Sequence, residues 1–162
     1  MAKIHINIGS NQNREANIVG AIDFLRLNFS DIKISDIFES PAQGFKGDDF
    51  YNVGVNATTK LTPCDVNLVL KDIEKKLGRK TTQPKFSSRL IDLDLVTYDL
   101  VISPDLNIPR DDILKYNFVL LPLAQLNADE FHPITGKTYQ QLSATMRPLK
   151  SYNIKILNGV IS

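Results

Sequence analysis

Two aspartates alternate with apolar residues in the segment 91–95, whose sequence is IDLDL. This alternation predicts a β-strand in which Asp92 and Asp94 share one face and the apolar residues share the other. The two Cα atoms would lie about 6.6 Å apart along the strand, so the carboxylates repel each other unless cations neutralise them. Mg²⁺ binds one or two carboxylates together with substrate phosphates. The segment therefore predicts a magnesium site, with a solvated strand face carrying two acids as the plainer alternative.

A basic segment comes directly before this strand. Residues 78–89, GRKTTQPKFSSR, contain Arg79, Lys80, Lys85 and Arg89 and no acid. In polyphosphate sites, metal ions neutralise some phosphate oxygens, and arginine and lysine bind the others. Taken alone, the segment could be an ordinary basic loop, but its position beside the acid pair favours a phosphate clamp.

A third group of residues could bind a planar ring. Phe50 and Asn52 fall on the same face of a predicted strand, and Phe118 begins the apolar run FVLLPL. Two aromatic rings could stack on a flat ligand while the asparagine amide donates and accepts at its edge. Phe118 taken alone favours a core position.

Apolar periodicity predicts the elements that position these residues. Strands are predicted at 3–9, 32–38, 50–59 and 90–97, with shorter ones near 100–108 and 152–161. Helices are predicted from Asn13 to Phe29, from the N-cap Thr62 to Gly78, and near 118–127. On the strand 50–59, the face with Phe50, Asn52, Gly54 and Asn56 is too polar for a core and is expected to face a ligand or water.

The order strand, helix, strand, strand, helix, strand indicates an α+β fold. We expect a ferredoxin-like βαββαβ sandwich with a mainly antiparallel sheet and additional strands and helices, forming a single domain over 1–162. Helices would cover one face of the sheet and leave the other face open for ligands.

Composition excludes several classes of protein. The 162 residues carry a net charge of +1, which argues against binding nucleic acid through overall charge. The single cysteine excludes an internal disulfide. The sequence contains neither a membrane-spanning apolar run nor the apolar stretch of a signal peptide, so we expect a cytoplasmic monomer with small-molecule partners, binding neither nucleic acid nor membrane.

Taken together, seven motifs in order resemble the 6-hydroxymethyl-7,8-dihydropterin pyrophosphokinase family. They are Ile8-Gly9-Ser10-Asn11, Ser40-Pro41 with Gly44, Phe50-Tyr51-Asn52, Glu74 with Gly78-Arg79, Arg89-Leu90-Ile91-Asp92-Leu93-Asp94, the run 118–123 and the segment 132–137. The resemblance implies transfer of pyrophosphate from ATP to the hydroxymethyl group of the pterin, giving AMP, in folate biosynthesis.

The resemblance also implies a role for individual residues. Asp92 and Asp94 would hold two Mg²⁺ ions, and together with Arg79 and Arg89 they would be the catalytic residues. The pterin would be bound by Ser40, Pro41, Gln43, Phe50, Asn52 and Phe118. The co-substrate ATP would be bound by Lys71, Glu74, Lys85, Phe86, Leu95 and Arg110.

The sequence departs from the family pattern in four places, one of which spans three residues. Phe86-Ser87-Ser88 replaces Trp-Gly-Pro, Thr81 replaces a second loop arginine, Arg110 replaces a histidine, and Tyr116 replaces an arginine. These losses leave open a paralogue that binds pterin or nucleotide with little transfer activity. An RNA-binding module shares the same element order, but the balanced charge and the lack of its aromatic and basic pattern argue against it.

Overall fold

An antiparallel sheet forms the framework of the protein, seen here in a computed structural model that describes residues 1–41, 49–78 and 91–156. The strands within these ranges are β1 (Ala2–Ser10), β2 (Ser30–Ser40), β3 (Phe50–Thr59), β4 (Asp92–Tyr98) and β5 (Lys150–Tyr152). The helices are α1 (Arg14–Asn28), α2 (Pro63–Lys76), α3 (Asn117–Leu126) and α4 (Tyr139–Ser143). The strand order β4-β1-β3-β2-β5 and the chain order β1-α1-β2-β3-α2-β4 confirm the predicted ferredoxin-like α+β fold.

The main core lies between one face of this sheet and helices α1 and α2. Ile4, Ile6 and Ile8 alternate along β1 and are all buried there. Helix α2 begins as predicted, because the Thr62 hydroxyl accepts a hydrogen bond from the Asp65 amide and Pro63 fills the first helical position. Strand alternation and helix periodicity thus direct their apolar residues into the same layer.

The opposite face of the sheet is not left fully open, contrary to the sequence expectation. Helix α3 packs on it and forms a second core with Val96 and Ile113. Nearly every residue of α3 is apolar, so one buried side does not satisfy it. The missing side chain of Gly54 allows α3 to pack closely on the sheet, since a Cβ at this position would lie 2.8 Å from the Pro122 Cβ. No helix in the described ranges combines the length and apolarity needed to cross a bilayer.

Two of the shorter elements were predicted wrongly. Residues 100–108 contain a single bridge between Ser103 and Ile108 and a 3₁₀ turn at Pro104–Leu106, because proline removes a ladder donor and Asn107 adopts a left-handed conformation. The late strand is short: β5 ends at Tyr152, and a 3₁₀ turn follows at Ile154–Ile156. Residues 157–162 lie outside the described residues.

A buried polar network joins β1 and β3 to the end of α3. His5 is 1% exposed, and its Nδ1 lies 2.7 Å from the Asn56 Oδ1. Asn56 and Asn127 also exchange amide hydrogen bonds of 2.8 and 3.0 Å. Because the Asn56 oxygen accepts, the neutral His5 ring donates through Nδ1 and leaves Nε2 as an acceptor. Burial lowers the pKa of His5 from 6.5 to about 4, although the hydrogen bond to Asn56 opposes this shift.

We expect the stability of the protein to fall as the pH drops from 6.5 toward 4. Between pH 6.5 and 4, His5 takes up a proton in the unfolded chain but not in the folded chain. The stabilisation present above pH 6.5, about 3 kcal/mol in total, is therefore lost across this range. Urea unfolding across this range measures the slope, and His5→Gln should reduce it. An unchanged slope in His5→Gln would contradict the assignment. His132 adds to the pH dependence of stability in the same direction in wild type and in His5→Gln, because burial also lowers the pKa of His132.

Candidate active site

The two aspartates of β4 lie on the face opposite the main core. Ile91, Leu93 and Leu95 are buried in that core, as the alternation predicted. Asp92 is paired with Gly9 and Asp94 with Asn7 of the neighbouring strand β1. The Asp94 side chain is 43% exposed, so it can reach a ligand while its strand remains fixed by the core.

A cavity of about 450 Å³ lies beside this acid pair. It brings together six residues that the sequence assigned to ATP, metal or catalysis: Lys71, Glu74, Asp92, Asp94, Leu95 and Arg110. Helix α2 supplies the first two, β4 the acids and Leu95, and the segment after β4 supplies Arg110. Asn67, which the sequence analysis missed, also lines the cavity one turn before Lys71 on α2. Cationic, anionic and apolar groups therefore meet in one volume, as a nucleotide requires.

Arg110 joins the acid pair to the segment that follows β4. Its guanidinium donates to the Asp112 carboxylate at 2.8 Å and lies 3.7 Å from Asp94. Burial alone would lower the pKa of Arg110, but the charge of Asp94 and the hydrogen bond and charge of Asp112 outweigh it and raise the pKa. Arg110 therefore remains a fixed positive charge at the mouth of the site.

Glu74 ties helix α2 to the strand that carries the acids. Its side chain is buried, and its Oε2 accepts a 2.7 Å hydrogen bond from the backbone amide of Leu93. Leu93 lies between Asp92 and Asp94 in the chain, so this bond positions both acids. A carboxylate acceptor is stronger than a neutral one, which suits a strand at the edge of the sheet that the described residues form.

Glu74→Ala is expected to lower the free energy of unfolding by roughly 1–3 kcal/mol, because the Leu93 amide loses its acceptor in a buried position. Glu74→Gln keeps an acceptor oxygen and should lose clearly less. Urea denaturation of both variants measures the difference. Equal losses in the two variants would show that the bond to Leu93 does not stabilise the strand.

The predicted ring-binding residues lie on β2 and β3 of the same sheet face. The Asn52 Nδ2 donates to the Ser40 Oγ at 2.8 Å, and both residues are buried. Half-buried Phe50 stands two residues earlier on β3. A Cβ at Gly9 would lie 3.3 Å from the Asn52 Oδ1 and 3.9 Å from the Phe50 ring, so Gly9 leaves room for both side chains. The bond to Ser40 orients the Asn52 amide before any ligand arrives.

Phe118 lies at the start of α3 on the same side of the sheet. It is half-buried against the second core and stacks on Tyr116 at 5.0 Å between ring centroids. Pro41 is exposed just after β2. The remaining predicted site residues lie outside the described residues: Gln43, Arg79, Lys85, Phe86 and Arg89.

The donor set at the acid pair is one that needs a ligand to complete it. Among the described residues, no group of three or more histidine, cysteine, aspartate or glutamate side chains is arranged to hold a metal ion. Two carboxylates suit Mg²⁺ when substrate phosphates supply further oxygens. Asp92 and Asp94 therefore fit a cation that arrives with a polyphosphate.

The family model described as 7,8-dihydro-6-hydroxymethylpterin-pyrophosphokinase matches residues 5–128, which span the sheet from β1 to β4 and helix α3. The chain belongs to this family.

Curated relatives of this pyrophosphokinase include a protein of similar length and much longer ones. The chain is 32% identical to 2-amino-4-hydroxy-6-hydroxymethyldihydropteridine pyrophosphokinase of Aquifex aeolicus, over 91% of this chain and 96% of that protein. It is 37% identical to the folic acid synthesis protein fol1 of Pneumocystis carinii, over 82% of this chain but only 18% of that protein. The chain thus has the length of the Aquifex relative and corresponds to a small part of the fungal one.

Solved structures share the fold of this pyrophosphokinase. Wild-type HPPK-DHPS of Plasmodium falciparum matches with a TM-score of 0.67 at 14% identity, over 89% of this chain and 43% of that chain. A structure titled HPPK-DHPS in complex with substrates matches with a TM-score of 0.70 at 12% identity, over the same shares of the two chains. These likenesses confirm the architecture.

Membership confirms the predicted family and the class of enzyme, an ATP-dependent pyrophosphokinase of folate synthesis. The roles given to individual residues remain predictions. Sequence reasoning did not identify the Glu74 bond to Leu93, nor did it single out Asn7, which faces Asp94. Asn7 had a signal in the sequence, since it alternates with Ile6 and Ile8 on the polar side of β1.

Proposed function

We propose that this chain transfers pyrophosphate from ATP to 6-hydroxymethyl-7,8-dihydropterin across the sheet face that carries Asp92, Asp94 and Asn52. The observation that carries this proposal is the pairing of two subsites on one rigid surface. One is the charged cavity at β4, and the other is the buried Ser40–Asn52 pair at β2 and β3. Strand β1 lies between them.

ATP would occupy the 450 Å³ cavity. Lys71 and Arg110 are placed to bind phosphate oxygens, and Leu95 offers backbone groups to the base. Arg79, Arg89, Lys85 and Phe86 are proposed to complete this subsite. The hydrogen bond from Leu93 to Glu74 fixes the strand on which the acids stand, so the acids need little rearrangement when the nucleotide binds.

The pterin would stack against Phe50 and Phe118 and be read at its edge by Asn52. The Asn52 Nδ2 is already bonded to Ser40, so the amide orientation is set and its oxygen is presented to donors on the ring. Pro41 and Gln43 would close the slot from the segment after β2. Buried, pre-oriented polar groups of this kind discriminate strongly against rings that lack the matching donors.

Asp92 and Asp94 would hold two Mg²⁺ ions. When bound, these ions neutralise the polyphosphate and stabilise charge in the in-line displacement. The chain itself positions the carboxylates on a fixed strand and keeps the positive charge of Arg110 beside Asp94.

AMP formation from ATP tests this proposal. Purified protein with ATP, Mg²⁺ and 6-hydroxymethyl-7,8-dihydropterin should release one AMP per pterin diphosphate formed, measured by chromatography. Omitting either the pterin or Mg²⁺ should abolish AMP release. Protein that binds both ligands but releases no AMP above background would instead support the binding paralogue. Salt-dependent binding of single-stranded RNA at micromolar protein would support the RNA-binding alternative.

We also propose that residues 1–162 act as a single domain, as a monomer in the cytoplasm, on small-molecule substrates, without nucleic acid or membrane partners. The near-neutral charge of +1 supports this proposal, because it provides little general attraction for anionic polymers or surfaces. Light scattering coupled to gel filtration should give a mass near 18.2 kDa.

A further inference from the structure

Asn7 is a polar residue buried in β1, on the sheet face that carries the candidate site. It lies on β1 directly opposite Asp94 of β4 on one side and Gly54 of β3 on the other. The residue is 6% exposed, and its Oδ1 has no hydrogen-bond partner within residues 1–41, 49–78 and 91–156. Buried amide oxygens in folded proteins nearly always accept a hydrogen bond, because losing water without a replacement is unfavourable. An acceptor held in this state indicates a donor that arrives with a ligand.

The position of Asn7 identifies which ligand group this donor belongs to. Strand β1 separates the acids of β4 from Asn52 of β3. On this face of β1, within the described residues, only the Nδ1 of His5 is bonded, to Asn56, while its Nε2 is enclosed beside Gly54. Gly9, which has no side chain, is the β1 residue directly between Asp92 and Asn52. Asn7, the next residue along this face of β1, is therefore the nearest β1 side chain to the boundary of the nucleotide and pterin subsites. In the proposed reaction, the hydroxymethyl group of the pterin has to meet the β-phosphate of ATP at this boundary.

We propose that the Asn7 Oδ1 accepts a hydrogen bond from this hydroxyl and orients its oxygen toward the β-phosphorus of ATP, an inference that rests on the proposed function. An amide oxygen is not a base, so Asn7 is a positioning residue. In the transfer, the hydroxyl oxygen forms a bond to the β-phosphorus. The bond from that phosphorus to the oxygen bridging it to the α-phosphorus breaks, and its electron pair leaves with AMP. The hydroxyl proton passes to solvent water.

A cycle of one substitution and one ligand change tests this contact. Dissociation constants of 6-hydroxymethylpterin and 6-methylpterin are measured for wild type and Asn7→Ala, with Mg²⁺ and a non-hydrolysable ATP analogue present. Wild type should prefer the hydroxymethyl compound by about fivefold to tenfold, the value of one hydrogen bond. Asn7→Ala should bind both pterins equally, with the 6-methylpterin constant unchanged. Its kcat should fall while its KM for ATP stays the same.

Thermal stability separates this role from a structural one. Because the variant removes a buried acceptor without a partner, its Tm should stay equal to that of wild type or rise. Asn56→Ala is the matched control: it removes a bonded amide from the same face and should lower Tm while keeping the preference for the hydroxymethyl compound.

An Asn7→Ala protein that keeps the preference, or loses affinity for both pterins equally, would overturn the inference. If wild type turns over substrate and Asn7→Ala does so equally well, this inference is overturned while the proposed function stands. Wild type that binds neither pterin overturns the proposed function as well.

Discussion

Asp94→Asn is expected to reduce the rate of AMP formation by about a thousandfold or more, since losing a carboxylate proposed to hold Mg²⁺ would remove roughly 4 kcal/mol of transition-state stabilisation. The fold should be unaffected. The Asp94 side chain is 43% exposed and stands on the face away from the main core, and Arg110 keeps its shorter bond to Asp112. Steady-state rates at saturating Mg²⁺ and a melting curve measure the two expectations.

Asp23→Asn provides the control for this substitution. Asp23 is exposed on α1, on the layer that covers the other side of the sheet, so the same chemical change there should alter neither rate nor Tm. If Asp94→Asn kept the wild-type rate, Asp94 would have no part in the reaction, and the metal site would have to be sought elsewhere in the chain.

Asn52→Ala is expected to weaken pterin binding by about a hundredfold while ATP affinity stays within about twofold of wild type. The variant would lose the proposed edge hydrogen bonds, worth roughly 1–1.5 kcal/mol each, and it leaves the buried Ser40 hydroxyl without its donor. ATP is spared because its proposed subsite lies across β1, at β4. Calorimetric titration with each ligand separately measures both constants.

Ser40→Ala distinguishes the contribution of the Asn52 amide to pterin binding from that of the Ser40 hydroxyl that orients it. It keeps the Asn52 amide but removes the group that orients it, so the loss of pterin affinity should be smaller, about tenfold. If Asn52→Ala weakened ATP and pterin equally, the residue would stabilise the whole face and would not read the ring.

The sequence predicted the arrangement of the sheet because each layer depends on short-range periodicity. Ile4, Ile6 and Ile8 alternate, and α2 carries both its N-cap and its apolar stripe within a few residues. The same alternation predicts that Asp92 and Asp94 share one face. These features depend on residues that are close together in the sequence, so the sequence alone is enough to predict them.

The features that could not be predicted depend on contacts between distant segments. Helix α3 is apolar on most sides, so its sequence does not say which face of the sheet it covers. The bond from Leu93 to Glu74 spans 19 residues, and the missing partner of Asn7 depends on three strands meeting. Lys71, Glu74 and Leu95 were assigned only through family resemblance, since periodicity alone marks Leu95 as a core position.

Gly54 lets helix α3 approach the sheet closely, one helical turn from Phe118 of the proposed pterin subsite. A methyl group at position 54 would lie 2.7 Å from the His5 ring and 2.8 Å from Pro122. Pro122 follows Phe118 by one helical turn, so the helix is seated on the sheet at the place where a side chain is missing. The width of the proposed ring slot thus depends on the missing side chain of Gly54. A larger residue at position 54 would widen the slot without altering any group that lines it.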